Sequence, residues 1–281
     1  MQHDVAFANN LRVLQDRFVA RISDWLPGIA AVRDDLAAGL FSKQELLNVR
    51  MQAHKIAGSA STFGFPDLSR AGACLEDRIL TFLNDKELAL MLDSLLQGLD
   101  DFIDEAHLTV AKGRAERDRP ALFTARPDVG TLEALIPERL PESAPDIDTR
   151  RAHIMIVDDD DLLRSYLVEG LADFGWTFAE AVNGRDAILQ LFGSKTVAAG
   201  QRPDLIVLDV DMPELDGFST LEMITASPVS KGVPVIMLTA KDDQLSLIRG
   251  YSKGALEYWM KPVDVRHIGR MIKDRLILDR T

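Results

Sequence analysis

The C-terminal half of the chain carries acidic and basic side chains directly after its apolar segments. Residues 158–161 are four consecutive aspartates that follow the apolar run 154–157. Asp209, Thr239 and Lys261 each stand at the end of a later apolar segment. Because the C-terminal ends of parallel strands meet at one edge of a sheet, we expect these side chains to converge there.

Such a cluster predicts phosphoryl chemistry. Neighbouring carboxylates repel one another and raise each other's proton affinity, so a site that keeps them ionised needs a cation. Oxygen ligands of this kind suit Mg²⁺ or Mn²⁺. We expect Asp209 to be the nucleophile and Lys261 the ammonium that neutralises charge on the phosphoryl oxygens. Taken singly, each acid is equally well explained as a solvated loop residue or an N-cap.

The segments that would position this cluster alternate between strand-like and helical patterns. The runs 154–157, 205–208 and 235–238 are continuous and rich in β-branched residues, as is typical of parallel strands buried on both faces. Weaker strands fit 177–181 and 257–259. Helical patterns lie at roughly 161–174, 184–193, 216–226, 243–252 and 264–277. Residues 151–281 are therefore predicted to form a doubly wound α/β domain with a five-stranded parallel sheet.

The C-terminal half resembles the receiver domain of two-component response regulators, with its flavodoxin-like fold. The matching motifs are IMIVDDDD, LIVLDVDMPELDG, VIMLTA and GALEYWMKP, in that order across residues 152–278. The resemblance implies that Asp158 and Asp159 hold the metal, that Asp209 binds it and accepts the phosphoryl group, and that the Asp211 carbonyl completes the metal shell. Asp160 and Asp161 are better interpreted as caps of the first helix than as metal ligands.

The resemblance also implies how phosphorylation is transmitted. Thr239 and Tyr258 match the pair that reorients after phosphorylation and alters the face of the receiver's fourth helix, fifth strand and fifth helix. A homodimer through that face is a further expectation. Lys261 and Pro262 match a Lys-Pro pair that usually has a cis peptide bond.

The N-terminal half shows helical periodicity over residues 5–114 and predicts an all-α bundle. Helix breaks are expected at Pro27-Gly28, at Gly39 with Ser42 as an N-cap, at 64–66 and near 84–85. Prolines scattered through 115–150 predict a linker. The expected domains are thus 1–114 and 151–281.

His54 is the residue of the helical half that could do chemistry. A lone helical histidine is more often structural, but small residues, Gly58 and Ser61, follow it at helical spacing and leave one flank open. Glycine within a helix costs about 1 kcal/mol relative to alanine, so Gly58 calls for a steric or functional reason. An imidazole that accepts a phosphoryl group must be open to a partner's active site.

The stretch from His54 to Ala60, with Gly64 after it, resembles the motif of histidine phosphotransfer (HPt) domains. The resemblance implies that His54 is phosphorylated. This chain departs from the pattern at Ala57, where the family commonly has lysine, and its lysine is Lys55 instead. Lys55 could point elsewhere on the helix. Gln52 or Ser61 are candidates to bond the imidazole or the phosphate.

Composition narrows the possible partners. A net charge of -12 disfavours direct binding to nucleic acid.

The single cysteine, Cys74, excludes an intramolecular disulfide and a cysteine-based zinc cluster, and it is expected to be buried. No segment has the apolar length of a membrane span or the pattern of a signal peptide, so we expect a cytoplasmic protein that does not enter a membrane.

These observations favour phosphorelay signal transduction between His54 and receiver aspartates, with Asp209 as one acceptor. The partners would be a sensor histidine kinase, another receiver or another HPt protein. The chain would be a phosphotransfer protein whose receiver catalyses its own phosphorylation and dephosphorylation, rather than a conventional enzyme. Two alternatives remain: a noncatalytic signalling adaptor, or part of a larger response regulator. The missing output domain of the latter could be a cyclic-dinucleotide synthase, of which this chain has no motif.

Overall fold

A computed structural model describes residues 2–40, 42–84, 88–115, 152–193, 202–230, 232–239 and 254–278. The predicted linker beyond Ala115 and the predicted helix at 243–252 lie outside these residues.

The described part of the N-terminal half is an all-helical bundle, as predicted. Its helices are α1 (Gln2–Ala37), α2 (Lys43–Ser59), α3 (Pro66–Asn84) and α4 (Leu88–Ala115). Helix α3 packs between α2 and α4, and α1 packs on α4. Each helix contributes fully buried apolar side chains to the centre, among them Ile22, Ile56, Leu75 and Leu99.

The expected helix breaks at Gly39 and at 64–66 are confirmed, whereas the break expected near 84–85 extends into residues outside the described ones. Ser42 caps α2 by accepting a hydrogen bond from the Glu45 amide at 3.3 Å. Helix α1, however, continues through Pro27, where the sequence predicted a break. Proline within a helix removes one backbone hydrogen bond and costs about 3 kcal/mol. Leu26 and Ile29 are buried on the two sides of Pro27, so continuing the helix keeps both in the core and offsets that cost.

The described part of the C-terminal half is the predicted α/β domain. Its strands pair in parallel in the order β2-β1-β3-β4-β5, where β1 is His153–Val157, β2 Thr177–Ala181, β3 Leu205–Asp209, β4 Val235–Thr239 and β5 Glu257–Met260. The described helices are α5 (Asp161–Leu171), α6 (Gly184–Phe192), α7 (Gly217–Ala226) and α8 (Val265–Leu278), with a 3₁₀ turn at Ala172–Phe174 after α5.

Alternation along the strands explains why helices cover both faces of the sheet. Ile154 and Ile156 of β1 pack with the apolar side chains of α5 and α8. Met155 and Val157 point to the other face and pack with those of α6 and α7. The C-terminal end of β1 therefore lies between two layers of helix, and the loops at the C-terminal edge hold the polar groups.

The two halves are docked on each other. Helix α1 packs on α5, and the core of the bundle is continuous with the α5 side of the sheet domain. The ring of Tyr166 on α5 has its centroid 6.0 Å from that of Phe7 and 6.2 Å from that of Phe63. This contact turns α2 toward the C-terminal edge of the sheet.

Two sequence expectations concern the surface. Across the described helices, none combines the length and apolar character that crossing a bilayer requires. Cys74 lies exposed on α3, so the expectation that it is buried was wrong. Its neighbours Gly72 and Leu75 take the inward positions of that helix turn.

Candidate functional site

The predicted cluster of acids and lysine forms at the C-terminal edge of the sheet. Asp158 directly follows β1, Asp209 ends β3, and Lys261 directly follows β5. The Lys261 Nζ lies 2.9 Å from Asp158 Oδ2 and 2.9 Å from Asp209 Oδ1. The Lys261 amide also donates to the Thr239 carbonyl at 2.7 Å, which ties the lysine to the end of β4. Strand ends that are distant in sequence thus bring one cation between two carboxylates.

Burial controls the charge of this cluster. Burial raises the pKa of Asp209 to about 7; the positive charge of Lys261 opposes that rise and the charge of Asp158 adds to it. Burial likewise raises the pKa of Asp158, against the effect of Lys261. For Lys261 burial opposes protonation, but the two carboxylates outweigh it and raise its pKa. Lys261 is therefore held as an ammonium, while the crowded acids would gain from further positive charge.

The donor atoms suit a divalent cation. Carboxylate oxygens of Asp158, Asp159 and Asp209 all lie within 4.8 Å of one another, close enough to ligate one ion. The set consists of oxygen alone, which fits Mg²⁺ or Mn²⁺ rather than a soft metal. Asp160 does not belong to this set. It caps α5 by accepting from the Leu162 amide at 2.9 Å, as expected, whereas Asp161, also expected to be a cap, is instead the first residue of that helix.

The two residues predicted to act as a switch lie on neighbouring strands. Thr239 ends β4 and Tyr258 lies in β5, and both are buried. In the β4–β5 register Tyr258 pairs with Met237, two residues before Thr239. The peptide bond between Lys261 and Pro262 is cis.

His54 lies against this same edge, with hydrogen-bond acceptors on both ring nitrogens. Its Nδ1 is 2.9 Å from Glu76 Oε2, and its Nε2 is 3.1 Å from the Asp211 carbonyl oxygen. Burial opposes protonation of the imidazole. The hydrogen bond and charge of Glu76, with smaller contributions from Asp209 and Asp211, outweigh burial and raise the pKa of His54.

Glu76 is the partner that the sequence interpretation missed. The candidates were Gln52 and Ser61 on or near α2, whereas Glu76 belongs to α3 and is 22 positions away. A signal was present in the sequence, because an acidic residue lies among the inward positions of α3 next to Leu75 and Ile79. A buried carboxylate needs a partner, and a histidine on the neighbouring helix can provide one.

Close packing of α2 on α3 makes this contact possible. A Cβ atom added to Gly72 would lie 2.8 Å from the Ala53 carbonyl oxygen and 3.1 Å from the Ala57 amide nitrogen. Only glycine therefore allows the two helices to approach so closely at this level. Glu76 is one helical turn beyond Gly72 and faces the same way, so it reaches His54.

The small residue Gly58 admits the lysine of the other half. A Cβ atom added there would lie 3.6 Å from Lys261 Nζ, so a larger side chain would fill the space beside the ammonium. This is the close approach expected of small residues after His54. Gly58 thus lies beside the lysine that bridges Asp158 and Asp209.

Lys55 points toward the acidic cluster of the receiver. The sequence left open that Lys55 points away, but its Nζ lies 3.0 Å from Asp159 Oδ2 and 3.1 Å from the Asp159 carbonyl oxygen. Position 57 lacks the lysine that HPt domains commonly have, but Lys55 contacts the acidic cluster directly. A small cavity remains between the halves, lined by His54, Lys55, Gly58 and Ser59 on one side and by Asp158, Asp159, Asp160, Leu163, Asp209 and Lys261 on the other.

Comparison with known families agrees with both halves. Residues 154–273 match the family model of the response regulator receiver domain, and residues 21–111 match that of the Hpt domain. The matched segments fall within the predicted domains 1–114 and 151–281.

Curated relatives match through the C-terminal half. Transcriptional regulatory protein AfsQ1 of Streptomyces coelicolor is 35% identical over 120 residues, which cover 43% of this chain and 49% of AfsQ1. Protein PilH of Pseudomonas aeruginosa is 33% identical over 113 residues, covering 40% of this chain and 88% of PilH. The chain spans about half the length of AfsQ1 and of several other regulators that it matches.

Solved structures also align with the sheet domain. The Vibrio cholerae chemotaxis protein CheY4 aligns with 26% identity and a TM-score of 0.40, over 44% of this chain and 98% of CheY4.

Proposed function

The chain belongs to the two-component phosphorelay proteins and joins an Hpt domain to a response regulator receiver domain; from this premise we propose that it transfers phosphoryl groups between its own His54 and Asp209. The observation that carries the proposal is the docked imidazole. His54 Nε2 contacts the Asp211 carbonyl, and the cavity beneath it contains Asp209 and Lys261.

The transfer step needs no group beyond these residues and the phosphoryl group. In one direction, a carboxylate oxygen of Asp209 attacks phosphorus carried on His54 Nε2, so that the O–P bond forms and the N–P bond breaks. The electron pair returns to Nε2, and the imidazole leaves neutral because Nδ1 keeps the proton that it donates to Glu76. The opposite direction is the same step reversed. Lys261 lies where its charge can stabilise the transferring oxygens.

Asp158, Asp159, Asp209 and the Asp211 carbonyl would hold Mg²⁺ or Mn²⁺. When bound, such an ion neutralises negative charge on the phosphoryl oxygens. The proposal extends to the output: phosphorylation of Asp209 would reorient Thr239 and Tyr258 and so alter the face that includes β5 and α8. A sensor kinase, another receiver or another HPt protein would supply or remove the phosphoryl group.

The test is labelling of the whole chain with acetyl phosphate in Mg²⁺, comparing wild type, His54→Ala and Asp209→Asn. Phosphoaspartate survives acid and is lost in alkali, whereas phosphohistidine behaves in the opposite way. We expect His54→Ala to carry only acid-stable label and Asp209→Asn to carry none of it. The wild type should carry both kinds, because label reaches His54 through Asp209.

Asp216→Asn is a matched control, since Asp216 is an N-cap in the same loop region outside the acidic cluster. It should label as the wild type does. Equal acid-stable labelling of Asp209→Asn and wild type would reject Asp209 as the acceptor. Absence of label from every variant, in protein that is folded by circular dichroism, would favour the noncatalytic adaptor.

A further inference from the structure

The contact between α1 and the start of α5 contains an ionic cluster that the transfer step does not use. Arg21 Nη1 lies 2.8 Å from Asp160 Oδ1, and Arg21 Nη2 also contacts Asp161. Arg17 Nη2 lies 3.5 Å from the second oxygen of Asp161. Two arginines of the Hpt domain therefore bind two consecutive aspartates of the receiver.

The cluster has a buried part and an exposed part. The side chains of Arg21 and Asp160 are 16% and 4% exposed, whereas those of Arg17 and Asp161 are both 53% exposed. Exposed pairs contribute little, but a buried charge that loses its partner is costly. Arg21 is therefore the residue on which the strength of this contact depends.

The geometry suits arginine in particular. The planar guanidinium presents a rigid fork of donors, so one Arg21 binds the carboxylates of two successive residues through its two terminal nitrogens. The guanidinium carbon lies 5.7 Å from the centre of the Trp25 ring, one helical turn away, which holds the fork in place. Arg17, Arg21 and Trp25 share one face of α1 because they are four residues apart.

The two aspartates on the receiver side, Asp160 and Asp161, are connected to the reaction site by the backbone. Asp160 Oδ1 accepts hydrogen bonds from both Arg21 and the Leu162 amide. The same oxygen therefore caps α5 and binds the guanidinium of the Hpt domain. Although burial works against it, the charge and hydrogen bond of Arg21 lower the pKa of Asp160. Asp158 and Asp159 precede it directly. Docking of Arg21 therefore sets the position of the loop that faces His54.

We propose that Arg21, with Arg17, recognises the paired acids Asp160 and Asp161 and thereby selects this chain's own receiver as the partner of its Hpt domain. The inference rests on the proposed transfer between His54 and Asp209. The rings of Phe7, Phe63 and Tyr166 add affinity at the same contact, but they do not distinguish one charge from another. A receiver that lacks the acidic pair would leave the arginines without their carboxylate partners, and the contact would therefore disfavour it.

The experiment reverses the charges in the whole chain. Arg21→Glu places a carboxylate against Asp160, and loss of a buried charge pair predicts a fall of about 30-fold or more in phosphoryl exchange between Asp209 and His54. Adding Asp161→Arg to Arg21→Glu should restore part of the exchange. Asp161 is chosen because Asp160 is needed as the cap of α5.

A second readout separates loss of docking from loss of folding. Asp209 is 3% exposed and lies beneath residues of α2, so an undocked Hpt domain should open it to acetyl phosphate. Arg21→Glu should therefore label Asp209 faster while His54 labels more slowly; a misfolded chain would lose both. Lys43→Glu makes the same charge change eleven residues from His54, about 16 Å along α2, and should alter neither rate.

The outcomes are distinct. Unchanged exchange in Arg21→Glu, with label still reaching His54 in the wild type, overturns this inference and leaves the proposed transfer standing. Absence of exchange in the wild type rejects the proposed transfer itself. Mixing His54→Ala with Asp209→Asn chains identifies the partner: exchange as fast as in the wild type at low concentration would overturn selection within one chain, and slow, concentration-dependent exchange would support it.

Discussion

The acidic site of the receiver and the histidine site of the Hpt domain are built in different ways. Asp158, Asp209 and Lys261 come from three strand ends that the parallel sheet brings together. His54 instead depends on one neighbouring helix for Glu76 and on another domain for the Asp211 carbonyl. The first site is set by the topology of one domain and the second by packing between elements. Four substitutions test this difference, from the largest expected effect to the smallest.

Lys261→Met should weaken the receiver most. It removes the ammonium between two buried carboxylates, and breaking a buried ion pair costs about 3–5 kcal/mol. Urea unfolding should show this loss, and Asp209 labelling by acetyl phosphate should fall sharply. Lys43→Met, which removes a lysine from the exposed start of α2, is the control. Unchanged stability would mean that the strand ends do not depend on this cation.

Gly72→Ala should damage the histidine site through packing alone. The added methyl would meet the Ala53 carbonyl at 2.8 Å, so α3 must move away and stability should fall by about 1–3 kcal/mol. Gly28→Ala is the matched control, because nothing lies within 4 Å of its added Cβ. The free energy of unfolding of that variant, measured by thermal unfolding, should rise by about 0.5–1 kcal/mol. If both substitutions changed the free energy of unfolding in the same direction, the close approach of α2 and α3 would be contradicted.

Glu76→Gln tests whether the imidazole needs a charged partner. A hydrogen bond to a charged group contributes about 1.5–3 kcal/mol, so transfer to and from His54 should slow by about tenfold or more. Labelling of Asp209 by acetyl phosphate should not slow, because Glu76 belongs to the other half of the site. Asp77→Asn, at the next and exposed position of α3, should behave as the wild type. Equal rates in Glu76→Gln and wild type would remove Glu76 from the site.

Lys55→Ala should act on the receiver site across the domain contact. Its ammonium lies 3.0 Å from Asp159 Oδ2, an oxygen that a divalent cation would also use. Removing this competing charge should tighten Mg²⁺ binding by about fivefold in a calorimetric titration. Lys43→Ala should leave the affinity unchanged. Weaker binding in Lys55→Ala would instead mean that Lys55 helps to organise the acids.

Part of the fold and site could be predicted because local patterns have local causes. Continuous apolar runs predicted β1, β3 and β4, and weaker strand patterns predicted β2 and β5. Polar residues directly after the strands predicted which edge would hold the acids. Ser42 and Asp160 were recognisable as N-caps because a cap precedes its own helix. Pro27 misled the prediction, since its local cost was outweighed by burial of Leu26 and Ile29, which only packing reveals.

The amino-acid sequence by itself determined the two domain types, the sheet edge at which the polar residues after the strands meet, and the candidate site residues His54 and Asp209. The tertiary structure decided the orientation of Lys55, the pairing of Glu76 with His54 and the contact of Arg21 with Asp160 and Asp161. The physical reason is range. Periodicity and capping act over a few residues, whereas a charge pairs with whichever opposite charge the packing brings within about 3 Å, however distant that residue is in the chain.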